Sequence, residues 1–272
     1  MSGFPLSEFL VLYGLALLGA LAILPYAFSL NRDKLSQSRL PPLVMALVSF
    51  VQSALLFAIA VGAGLLAGQP AGLGAPHIRA ALSGEPVWAS LLRLLSPSVG
   101  LGALSFAAVA LLETFLFAPH IPEALHLADV KIRAWKRLLA SFYGGIDEEI
   151  LMRLFLVSGV VWVLGHFWQN ASGLPASGAY WAAILLVSVL FGLGHLPATK
   201  AITPLTPLIV VRAVALNGLA GVAFGWLYWQ YGLEAAMLSH FTADILLHLI
   251  APVFLHPKEE HAPAGEVLTN SH

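Results

Sequence analysis

Long apolar runs separated by short polar breaks give the chain its rhythm. The first run covers 9–30 and stops at the polar stretch NRDKLSQSRL; the second covers 41–67 and contains VMALVSFVQSALLFAIAVGAGLLAG. A Gly/Pro/Ala-rich loop over 68–88 leads to a third run over 97–118, and further runs follow over 138–166, 179–197, 207–230 and 234–255. Each is close to or above the roughly 20 residues that a helix needs to cross a bilayer. The pattern therefore predicts an all-α, polytopic membrane helical bundle of about seven transmembrane helices. Between the third and fourth runs, HIPEALHLADVKIRAWKRLL is polar and amphipathic, which predicts an interfacial helix with Trp135 at the membrane surface. The tail HPKEEHAPAGEVLTNSH is polar and expected to be disordered. The chain so divides into N-terminal transmembrane helices over 1–130, a helical core over 131–256 and a tail over 257–272.

Composition sharpens this picture. Hydrophobic residues make up 59% of the chain and charged residues 10%, against about 25% charged in soluble domains. The net charge of −1 gives no case for a nucleic-acid partner, and the absence of cysteine excludes disulfides and thiolate chemistry. No Lys or Arg precedes Arg32, and the first apolar run is too long for a signal peptide, so it is expected to stay as a membrane helix. With seven crossings, Arg32, Lys34, Arg39, Lys131, Arg133, Lys136, Arg137, Lys200 and Lys258 fall on one side, and only Arg79 and Arg93 on the other. That bias predicts a multi-pass integral membrane protein with its N-terminus outside and its C-terminus in the cytoplasm, at the plasma membrane if the cell is prokaryotic. In the sixth run Gly221 and Gly225 form a GxxxG spacing suited to close helix packing.

Against this background the ionisable residues stand out, because a charge at the centre of a membrane helix costs roughly 2.5–3.5 kcal/mol on insertion scales. The intramembrane set is Glu113, Glu148, Glu149, Arg153, His195, Arg212, His240, Asp244 and His248. Three pairings follow helical spacing. Glu149 and Arg153 stand four apart with the acid first, the favourable order for an ion pair. Glu148 lies about 100° round the helix and need not share that arginine, which leaves it as a candidate general base. Asp147, one step nearer the loop, would cap or solvate the site. Acids at a helix start are also common for dipole reasons alone. A helix running on from Lys136 would instead carry Glu148 about 18 Å inward, whereas a break at Gly144-Gly145 would put the acids at the head of a new helix. Phe191 and His195 share a face in FGLGH, which Pro197 is expected to terminate, and a lone histidine there is more often structural than catalytic. His240 and Asp244 share a face in HFTAD, where the carboxylate can fix the imidazole's tautomer or simply tie two helices together. His248 continues that stripe but lies nearer the basic side and is left out of the site; Arg212 can snorkel, and Glu113 has Arg212 as its one candidate partner.

Taken in order, Glu148-Glu149-x-x-x-Arg153, Phe191-x-x-x-His195 and His240-x-x-x-Asp244 resemble the EExxxR, FxxxH and HxxxN/D motifs of the CPBP family of intramembrane proteases. That family includes the type II CAAX prenyl endopeptidases and bacterial homologues linked to bacteriocin processing and immunity. The resemblance covers about 140–250. It implies a metal-independent glutamic endopeptidase whose catalytic core is 131–256 and whose substrate is a membrane-associated peptide or protein, possessing a prenylated CAAX end or not. By resemblance Glu148 activates the water, with His195 helping to hold it. Glu149 and Arg153 form a supporting ion pair, and Phe191 packs beside them. His240 and Asp244 stabilise the oxyanion. Asp244 departs from the Asn of the prenyl endopeptidases; an ionised Asp cannot donate to an oxyanion, so it must be protonated or act through His240. This departure bears on the substrate class more than on hydrolysis.

No cofactor is implied. Zinc is the nearest rival, since Glu148, His195 and His240 are suitable ligand types, although there is no HExxH. A proton-coupled transporter would also need buried acids and histidines, but the inverted repeats common in transporters are absent from the sequence. A non-catalytic scaffold or bacteriocin-immunity-type protein would keep the polar cluster for partner binding. No nucleophile-elbow serine and no Gly-rich phosphate loop is present. Nothing in the sequence fixes the oligomeric state.

Overall fold

The computed structural model describes residues 3–122, 124–125 and 131–255. The tail over 257–272 and much of the segment before Lys131 expected to be interfacial lie outside the described residues. Within them the chain is predominantly helical, with no strand. Six helices are long and apolar enough to cross a membrane: α1 (Leu6–Leu30), α2 (Pro42–Ala71), α3 (Trp88–His120), α5 (Ser177–Ile202), α6 (Pro207–Tyr231) and α7 (Leu233–Val253). The fourth expected crossing, α4 over 134–165, is helical too but is not among those six, so six of the seven expected crossings meet this test of length and apolarity among the described residues. The 68–88 loop holds a further short helix, Pro76–Leu82.

Helix starts follow local chemistry. Pro42, Pro76 and Pro207 occupy first-turn positions, where the missing N–H is no loss. The Thr206 hydroxyl accepts from the Ile209 N–H at 3.4 Å and so caps α6. One residue joins α6 to α7: Gly232, at φ 94°, a conformation that favours glycine. The Pro76 ring lies where its Cβ would stand. Pro197 does not end the helical course as expected. It sits in the first turn of Leu196–Ile202, which resumes after a one-residue irregularity at His195, because proline is tolerated there.

The outer surface is apolar: Leu43 is 81% exposed and Phe115 76%. In water such a surface would aggregate, whereas facing lipid it is at home. The chain is a multi-pass integral membrane protein. α5 is the most enclosed span, and its contact with α6 is the most extensive in the bundle. Gly192 and Gly221 make that contact possible: a Cβ on the first would meet the Val214 backbone and on the second Ser188. α4 runs through the middle, packed against α1 and α2 on one side and α7 on the other.

Candidate active site

α4 continues straight through Gly144-Gly145, but with a widened, π-type winding over Gly144–Glu148 and again over Ile150–Val157. Such windings recur at functional sites because they re-aim neighbouring side chains. Here three consecutive acids point to three places. Asp147 is fully buried against α1, where a Cβ on Gly19 would overlap its carboxylate, and neither of its oxygens has a hydrogen-bond partner among the described residues. It faces a helix, not solvent, which corrects the capping role expected of it. Glu149 is fully buried and turned toward Arg153 and α7. Glu148 keeps a quarter of its side chain exposed and faces His240.

Glu149 is the hub. Its Oε1 accepts from Arg153 Nη1 at 2.8 Å and from His240 Nδ1 at 2.7 Å. Arg153 Nη2 donates to the Gly221 carbonyl at 3.0 Å, tying α4 to α6. Two rings enclose the polar group. The Arg153 guanidinium lies 5.1 Å from the Phe191 ring and 5.5 Å from Phe224. His240 stacks on Phe224 at 4.8 Å and meets Phe191 edge-on at 5.8 Å. A carboxylate can only accept, so Nδ1 of His240 carries the proton and Nε2 is the nitrogen left to face the site. Asp244 therefore does not set this tautomer, as the one-turn spacing had allowed; Glu149 does, from another helix.

Around Nε2 stand Asp244 Oδ1 at 3.5 Å and Glu148 Oε2 at 3.9 Å. The second separation is beyond a direct hydrogen bond, leaving both groups open to a third between them. His248, which sequence reasoning left aside, brings its Nε2 to 4.0 Å from the same Asp244 oxygen. Gly144 forms the floor: a Cβ there would press on Asp244 Oδ2 and lie 3.3 Å from His240 Nε2. His195 stands beyond Phe191, edge-to-face with it at 4.8 Å, and its Nδ1 donates to the Phe191 carbonyl at 2.8 Å. Its Nε2 is thus left as an acceptor. Phe191 separates the two imidazoles and braces both.

Glu113 and Arg212 pair with each other, Nε to Oε2 at 2.7 Å, joining α3 to α6. Among the described residues no three His, Cys, Asp or Glu side chains are grouped to hold a metal ion. Sequence reasoning missed two features: the Glu149–His240 bond, which crosses between helices, and Gly144, whose only signal was its place in a Gly-Gly pair before the acids.

The site is a carboxylate–imidazole cluster enclosed within a multi-pass helical membrane protein. Residues 131–246 match the family described as Type II CAAX prenyl endopeptidase Rce1-like, and this part of the chain is an Rce1-like domain, of a family of proteases. The matched segment contains all seven motif residues. The match covers part of the chain and supports, in general terms, an intramembrane CAAX-type protease. No curated protein and no solved structure matches it.

If Gly144 is the floor, Gly144→Ala should lower kcat/KM about 10–100-fold by displacing the acid or the imidazole, since a 1 Å misplacement is enough for such a loss. Alanine favours helix by about 1 kcal/mol over glycine, so the melting temperature should hold. Wild-type kinetics from a correctly folded Gly144→Ala protein would show that this face of α4 does not bound the site.

Proposed function

We infer that the chain cleaves a peptide bond of a membrane-associated peptide or protein, with Glu148 as general base. The observation that carries this reading is the convergence of Glu148 and Asp244 on the outward nitrogen of a histidine whose other nitrogen is held by Glu149. Water taken up beside Glu148 gives it a proton and attacks the scissile carbonyl. The oxyanion that forms needs a donor. An imidazolium at His240 supplies one from Nε2 while Nδ1 stays bonded to Glu149. Asp244 then acts as a counter-charge to that imidazolium, which removes the difficulty that an ionised Asp cannot donate. His195 Nε2, an acceptor, helps to orient the water. The proton held by Glu148 passes to the leaving amine. Exposure of Glu148, with Glu149 and Asp147 fully buried, favours the first as the group that meets water. The charge bias of the loops favours a cytoplasmic opening.

The test is cleavage by the purified chain of a peptide panel with and without a prenylated CAAX end, each with and without a metal chelator. Cleavage untouched by chelator is expected, and preference within the panel names the substrate class. Loss of activity to chelator, restored by zinc, would replace this mechanism with a metal-dependent one. Silence on every peptide from folded protein would favour the scaffold or immunity role.

A further inference from the structure

A second polar concavity lies apart from the acids, at the end of the bundle where α1 finishes and α4 begins. It has a volume of about 670 Å³ and is bounded by Arg32, Lys131, Arg133 and Lys136, with residues of α1 and of the end of α5. Among the described residues that line it none is acidic. Lys136 Nζ is held in place, donating to Ser29 Oγ of α1 at 2.6 Å and lying 5.5 Å from the Trp135 ring. The floor is apolar, with Phe28 and Ile202 among its residues. Four cations brought together around one concavity repel one another unless an anion is shared. Water and salt would screen a flat patch of lysines, but these groups come from separate segments around one concavity.

We propose that this pocket binds the phosphate of an anionic phospholipid. Three observations favour a lipid over free phosphate. The pocket sits where the membrane-spanning helices α1 and α5 end. Trp135 beside it is half exposed, a side chain suited to the interface. The apolar floor offers a free phosphate nothing, yet suits the glycerol and first methylenes of a lipid. Basic pockets between helices on the positive side of a membrane bind headgroups in this way. The position also gives the lipid leverage. Lys136 stands on the same helix as Glu148, about 18 Å along it, and the pocket's wall at Ala201 and Ile202 belongs to the segment that follows His195. A bound headgroup clamps α1, α4 and the end of α5 together at the ends of two of the three elements that carry the site. The binding itself does not depend on the catalytic reading.

Native mass spectrometry of the full chain, stripped of lipid in detergent, decides the matter. It is titrated separately with phosphatidylglycerol, phosphatidylcholine and inorganic phosphate. Wild type should hold phosphatidylglycerol in preference to phosphatidylcholine. Lys131→Gln with Arg133→Gln should weaken it about thirtyfold, from the loss of two interfacial charges, and Lys131→Arg with Arg133→Lys should restore it. Arg32→Gln, on a short helix outside the spans, repeats the test with less risk to folding and should weaken binding about fivefold. Equal retention of the two lipids would overturn the proposal, as would phosphatidylglycerol binding unchanged by charge removal. Displacement of the lipid by equimolar inorganic phosphate would make free phosphate the ligand and overturn the assignment to lipid.

Discussion

Glu148→Gln should reduce cleavage by at least about a hundredfold while leaving the protein folded. Glutamine preserves the shape of the side chain and its oxygen acceptor but cannot take a proton at neutral pH, and loss of a general base costs on the order of 10²–10⁴ in rate. The fold has little to lose, because the nearest charged partner of Glu148 in the site is His240 Nε2 at 3.9 Å, too far for a hydrogen bond. The change in stability should stay within about 0.5 kcal/mol. Glu148→Asp should be informative as well, since it keeps the base but withdraws it by one methylene; partial activity is expected. The measurement is kcat/KM on whichever peptide the wild type cleaves, beside a melting curve in the same detergent. Equal kcat/KM for wild type and Glu148→Gln would remove Glu148 from catalysis. Asp147 then gains no claim to replace it, being sealed against Gly19.

The sequence exposed what depends on spacing within one helix and hid what depends on contact between helices. Apolar run length marked all the long helices, and the i, i+4 rule paired Glu149 with Arg153, which the structure places 2.8 Å apart. The same rule paired His240 with Asp244, at 3.5 Å. It could not see that Glu149 is also the partner of His240, 91 residues away. Nor could it show that Glu113 reaches Arg212 or that Asp147 turns to α1. The π-wound stretch explains the last. Ideal winding of 100° per residue assigns directions to Asp147, Glu148 and Glu149 that a widened turn alters, and nothing in GGIDEE announces a widened turn. The fate of Pro197 has a similar cause. Proline is well tolerated in the first turn of a helix, and a sequence does not say where a new helix begins.

Glu149 carries two burdens, and separating them gives the second large effect. With its partner Arg153 fully buried, removing the acid strands a cation whose remaining hydrogen-bond partner in the site is the Gly221 carbonyl. Breaking such a pair costs about 3–5 kcal/mol, so Glu149→Leu should lower the melting temperature by roughly 10 °C, at about 2–4 °C per kcal/mol for a chain of this size. Activity should fall as well, but from a single variant the loss could be blamed on unfolding. Adding Arg153→Met removes the stranded charge, and replacing both members of a buried ion pair by apolar residues is often neutral or stabilising. The double variant should therefore recover most of the lost stability. It should not recover cleavage, because His240 still lacks the carboxylate that holds Nδ1 and directs Nε2 toward Glu148. A double variant both stable and fully active would show that the Glu149–His240 bond does not orient the catalytic imidazole. If Glu149→Leu alone melts like wild type, the buried charge pair is not an energetic unit, and the argument from desolvation fails with it.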